Sequence, residues 1–104
     1  MGLREDVQDI QNKIFSGQLL EAFDKYYAED VVMTEQGEEP RVGKAVNREF
    51  EQQFLDNVEI HGGGVTHIAY DENHQVAMIE SWMEVTFKGQ DSRTKMSQVA
   101  VQEW

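Results

Sequence analysis

The sequence predicts a single α+β domain, a cone-shaped, curved antiparallel sheet with three N-terminal helices packed on its concave face. Apolar residues recur at helical spacing up to residue 57, and the period changes to two from Val58 onward. Turn-forming residues then divide the second half into long consecutive strands. A helical half followed by meandering strands packs as a helix layer over one face of an antiparallel sheet.

Leu3, Val7, Ile10 and Ile14 draw one stripe on a first helix, and Gly17 suits a left-handed exit from it. A second helix carries Leu19, Leu20, Phe23, Tyr26 and Tyr27. Val31 to Glu35 is β-prone, and Gly37 to Pro40 reads as a turn. The third helix is predicted from Gly43 or Lys44 to about Leu55. Its buried face is set by Val46, Phe50 and Phe54, with Arg48, Glu49, Glu51 and Gln52 pointing outward and Asp56-Asn57 closing it.

Three strands follow, over residues 58–70, 75–88 and 92–104, joined by turns at 71–74 and 89–91. In the middle strand Ala77, Ile79, Ser81, Met83, Val85 and Phe87 share the face assigned to the core. Met78, Glu80, Trp82, Glu84 and Thr86 share the other. A tryptophan between acids is an unusual solvent face, so Met78, Glu80, Trp82 and Glu84 are the expected interface of a homodimer formed through the outer side of the sheet. Gly62-Gly63-Gly64 interrupts the first long strand where a strongly curved sheet needs a bend or bulge.

Composition narrows the function classes. A chain of 104 residues buries roughly two-thirds of its unfolded surface and forms one core without staples. Cysteine is absent, which removes disulfides, thiolate catalysis and cysteine-ligated zinc. Acidic residues outnumber basic ones 20 to 9, for a net charge of −11, and such a surface repels phosphate backbones and anionic lipid headgroups. Nucleic acid and membranes are therefore not expected partners. The first ten residues lack the apolar core of a signal peptide, and the expected location is cytoplasmic. No phosphate loop, nucleotide fingerprint or Ser/His/Asp triad is present, so no cofactor is expected. His61 and His67 share strand parity but lie about 20 Å apart along an extended strand, so no metal site is expected either.

Tyr27-Ala28-Glu29-Asp30-Val31-Val32, then Glu39-Pro40-Arg41-Val42-Gly43-Lys44 and Arg48-Glu49-Phe50, resemble the pattern of the nuclear transport factor two-like superfamily, which includes SnoaL-like polyketide cyclases and ketosteroid isomerases. The likeness spans residues 1–104 as one SnoaL-like domain. Members carry one further strand, so the resemblance implies that this chain lacks it and that the exposed edge needs cover, for instance from a neighbouring subunit.

The resemblance also implies a pocket for a small apolar molecule between helices and sheet, with Phe15, Phe23, Met33, Phe50, Phe54 and Met83 as candidate lining. The acid that moves a proton in the isomerases falls at Glu35, where desolvation would raise its pKa and make it a competent acid–base group. His67 is a second candidate proton carrier. The isomerases' remaining groups fall at about Ile10, within Val99 to Val101, and near Glu51, where the residue types do not match. Steroid isomerase activity is therefore not implied. The expectation is a small-molecule-binding protein, with isomerase, cyclase or dehydratase chemistry as one reading and a non-catalytic dimeric module as the other.

Overall fold

In the computed structural model, which describes residues 2–35 and 37–104, the elements run α1 (Leu3–Phe15), α2 (Leu19–Tyr26), β1 (Val32–Met33), β2 (Arg41–Val42), α3 (Lys44–Asn57), β3 (Val58–Asp71), β4 (Val76–Phe87) and β5 (Thr94–Glu103). The stripe of α1 is as its spacing predicts. Leu3, Val7 and Ile10 are buried, and Leu3 and Val7 pack with Ala77 and Ile79 of the sheet, flanked by Ile68 and Tyr70. Full burial of such side chains contributes about 1.5–3 kcal/mol each. Gly17 ends α1 in the left-handed region at φ 82°, which lets the Ser16 and Gln18 N–H groups both donate to the Lys13 carbonyl. Phe23 of α2 is fully buried and stacks on Tyr27 with ring centroids 4.3 Å apart.

The strands form a three-stranded antiparallel sheet of order β3-β4-β5 and a separate antiparallel pair β1-β2. Within β4 the alternation is as read: Ala77, Ile79, Ser81 and Val85 are buried, and Met83 and Phe87 are half-buried on the same side. β1 is shorter than its β-prone sequence. Val32 pairs with Val42 and Met33 with Arg41, and among the described residues no pair follows Met33. Glu35 therefore lies in the loop beyond β1 rather than at a strand end.

The phase of α3 corrects the sequence reading. Val46 is 56% exposed and Phe50 36%, whereas Asn47 is fully buried and Glu51, on the expected outer face, is half-buried one turn further on. The helix turns Asn47 inward because that amide satisfies backbone carbonyls at the β2 turn. Polar groups placed there are retained when they are hydrogen-bonded.

The glycine run is continuous strand flanked by two bulges, between Ile60 and Gly62 and between Val65 and His67. Gly63 pairs with Met83 and faces the helices, where the Phe15 ring lies against its backbone. Gly62 and Gly64 face the other way and give room to the Trp82 ring. Trp82 is therefore half-buried against its own sheet, with the Lys95 ammonium 5.3 Å from its ring centroid, and is not the bare tryptophan that its acidic neighbours suggest.

Candidate functional site

Asn47 and Glu51 stand one helical turn apart on the inward face of α3, and Asn47 ties the helix to β2 and the turn that follows it. The Asn47 amide nitrogen donates to the carbonyls of Arg41 (2.9 Å) and Gly43 (2.8 Å), and its oxygen accepts from Arg41 Nε at 3.2 Å. Arg41 is held from its other sides as well. Its Nη2 lies 3.3 Å from Glu35 Oε1, its Nη1 lies 3.5 Å from Glu38 Oε2, and its guanidinium sits 3.6 Å from the Phe50 ring centroid. A guanidinium fixed by hydrogen bonds and an aromatic face is a preorganised cation.

Glu51 and Tyr27 complete the cluster. Burial pushes the Glu51 carboxyl above the usual glutamate range; Arg41 partly opposes this, and the negative charge of Glu35 adds to it. Burial pushes the Tyr27 phenol up to about 12, with the Glu51 charge as the smaller cause. The four groups Tyr27, Glu35, Arg41 and Glu51 thus supply a desolvated carboxyl, a phenol that stays protonated, a fixed cation and a hydrated carboxylate. That set can move a proton and hold developing negative charge on an oxygen.

The Tyr27 shift carries a pH consequence. The folded phenol binds its proton more tightly than the unfolded one, so its contribution to stability is full below pH 10 and is lost as pH rises toward about 12. Alkaline denaturation is expected to cost the wild type about 2 kcal/mol by pH 12 through this group alone. Urea midpoints between pH 9 and 12 should fall less steeply for Tyr27→Phe. Parallel curves would show that the phenol is solvated.

The structure distributes the other candidates unevenly. Glu35 is 58% exposed at its side chain and enters the cluster only through Arg41. Phe15, Met33, Phe54 and Met83 are half-buried, whereas Phe23 is solid core. Phe50 lies instead on an open groove of about 270 Å³ outside α3, with Arg41, Val46, Glu49 and Gln53. His67 is exposed, on the outer side of the sheet beside Glu80 at 3.0 Å, and so cannot serve a helix-side pocket. His61 Nε2 is 2.7 Å from Thr86 Oγ1, on the outer set of β4. Glu80 and Trp82 line an outer-face groove of about 440 Å³ with Thr66, Lys95 and Val99, and Met78 and Glu84 share that face. Both grooves are shallow and open, and Glu35 lines neither. Among the described residues no three His, Asp or Glu side chains group closely enough to hold a metal ion, and no helix is long and apolar enough to cross a membrane.

Sequence reasoning missed Glu51, Tyr27 and Arg41 as a group. The signal was the spacing Asn47, Glu51 and Phe54, a helical stripe whose first two members are polar and therefore silent in a hydrophobic pattern.

No family model matches the sequence, and no curated protein matches it. Solved structures do match its fold. A Mesorhizobium loti protein provisionally described as a SnoaL-like polyketide cyclase superposes with a TM-score of 0.81 at 24% identity, over 99% of this chain and 89% of that one. A Bacillus subtilis protein provisionally described as an isomerase gives 0.78 at 10% identity, over 98% and 76%. An epoxide hydrolase from M. tuberculosis, described as LEH-like, gives 0.75 at 14% identity, over 98% and 72%.

Proposed function

We propose that this chain, which has the α+β fold of the SnoaL-like cyclases and the wider nuclear transport factor two-like superfamily, binds a small, largely apolar molecule on the helix side of its sheet and moves a proton on it. The observation that carries the reading is Glu51, a carboxyl desolvated near a half-buried phenol and a fixed guanidinium. Glu51 is the acid–base group. The Tyr27 hydroxyl and the Arg41 guanidinium stabilise the oxygen on which charge develops. Glu35, which the family resemblance singles out, takes the second place as the hydrated carboxylate that holds Arg41 and raises the Glu51 pKa. The reaction class is proton transfer beside a carbonyl, of isomerase, cyclase or dehydratase type.

The test is deuterium exchange at the carbon beside the carbonyl of small cyclic ketones, measured for wild type, Glu51→Gln and Glu35→Gln. Loss of a positioned base costs on the order of 10²-fold in rate, expected for Glu51→Gln, with a smaller loss for Glu35→Gln. A direct titration of the Glu51 carboxyl accompanies it. Ionisation near about 4.3, or exchange that Glu51→Gln leaves unchanged, would overturn the assignment.

A further inference from the structure

Turn by turn, α1 steps along the inward residues of the sheet. Four residues of helix rise about 6 Å and two residues of strand cover about 6.8 Å, so the two spacings nearly match. Val7 packs with Ala77 and Ile79, and the Phe15 ring lies against Gly63, the partner of Met83. Gln11 stands four residues from both Val7 and Phe15 and shares their face of the helix. Ser81 stands two residues from both Ile79 and Met83 and shares their face of β4. The register of helix on sheet therefore sets Gln11 over Ser81.

Both are more than nine-tenths buried, Gln11 at 8% exposure and Ser81 at 6%, in a seam whose neighbouring buried members are Leu3, Val7, Ala77 and Ile79. Among the described residues neither side chain has a hydrogen-bond partner, and neither is sealed off as Tyr70 Oη and Gln102 Oε1 are. Burying an unpaired polar group is costly, and here two of them meet from opposite layers at one level. Apolar surface with a few convergent polar groups is what the wall of a ligand pocket presents.

We propose that Gln11 and Ser81 form the polar seat of the helix-side pocket and receive an oxygen of the ligand. A carboxamide and a hydroxyl each donate and accept, so the seat takes a hydroxyl or a carbonyl and has no charge with which to hold a carboxylate. Tyr27 and Arg41 already serve the carbonyl beside which the proton moves, so the seat serves a second oxygen. The inference rests on the proton-transfer reading of the helix side. It narrows the substrate class to neutral, apolar ketones with a second, uncharged oxygen away from the reacting carbonyl.

The test titrates isotope-labelled protein with cyclohexanone and a decalin-type ketone, each with and without a hydroxyl remote from the carbonyl. The Gln11 side-chain amide signals should move with a hydroxyketone and stay with its parent ketone. The hydroxyketone should bind about tenfold tighter. Gln11→Leu and Ser81→Ala should each bring the two affinities within about twofold, with circular dichroism confirming that the variants fold. Glu51→Gln should keep the preference for the hydroxyketone. A preference that survives there while wild type exchanges no deuterium sinks the proton-transfer reading and leaves the seat standing. Equal affinities in wild type, a preference that both seat variants retain, or a Gln11 amide that no ketone moves overturns the seat.

Discussion

Asn47→Ala is expected to lower the stability of the domain by about 3 kcal/mol, read as a shift in urea midpoint at unchanged slope. The side chain is fully buried and makes three hydrogen bonds, two as donor to the carbonyls of Arg41 and Gly43 and one as acceptor from Arg41 Nε. The Gly43 carbonyl keeps one partner, the Asn47 backbone N–H at 3.2 Å, and the Arg41 carbonyl stays in its ladder pair with Met33, so the larger cost falls on the guanidinium. Leaving a buried polar group unpaired costs about 1–3 kcal/mol, more where a charge is involved. Asn47→Asp should do no better, because it replaces both donated bonds with a carboxylate facing two carbonyls. A shift below about 0.5 kcal/mol for either variant would mean that the amide is solvated and the α3 phase is wrong.

Gly63→Val is expected to cost about 3 kcal/mol, while Gly62→Ala and Gly64→Ala stay near neutral. A Cβ at residue 63 would sit 2.6 Å from Phe15 Cε1 and 2.9 Å from the Trp82 carbonyl oxygen. The ring can shift, but the carbonyl belongs to the ladder with β3 and cannot. At residues 62 and 64 the nearest atoms are Trp82 Cη2 at 4.0 Å and Trp82 Nε1 at 3.5 Å, ordinary contacts. Adding Phe15→Leu to Gly63→Val should recover part of the loss and no more. Three glycines that look alike in sequence thus separate in one denaturation series. Equal tolerance at all three would show that Phe15 does not pack against the strand.

The helix layer, the order of strands, the inward set of β4 and the left-handed exit at Gly17 were all legible in the amino-acid sequence. Each depends on spacing along the chain or on one residue's own conformational range, and both are local properties. The glycine run was legible as a bulged strand for the same reason, since packing gains nothing from three glycines unless the backbone must bend or approach something.

The inward face of α3, the early end of β1 and the burial of Glu51 were decided only by tertiary structure. Val46 and Phe50 keep the helical period yet face outward, because the β2 turn has carbonyls that Asn47 can satisfy and they cannot. β1 ends at Met33 after two pairs with β2, although Thr34 and Glu35 continue its β-prone sequence. Desolvation of a carboxyl depends on what stands opposite it, and for Glu51 that is Tyr27 and Arg41, 24 and 10 positions away in the chain. Period and propensity belong to the chain, whereas burial belongs to the pair of surfaces that meet.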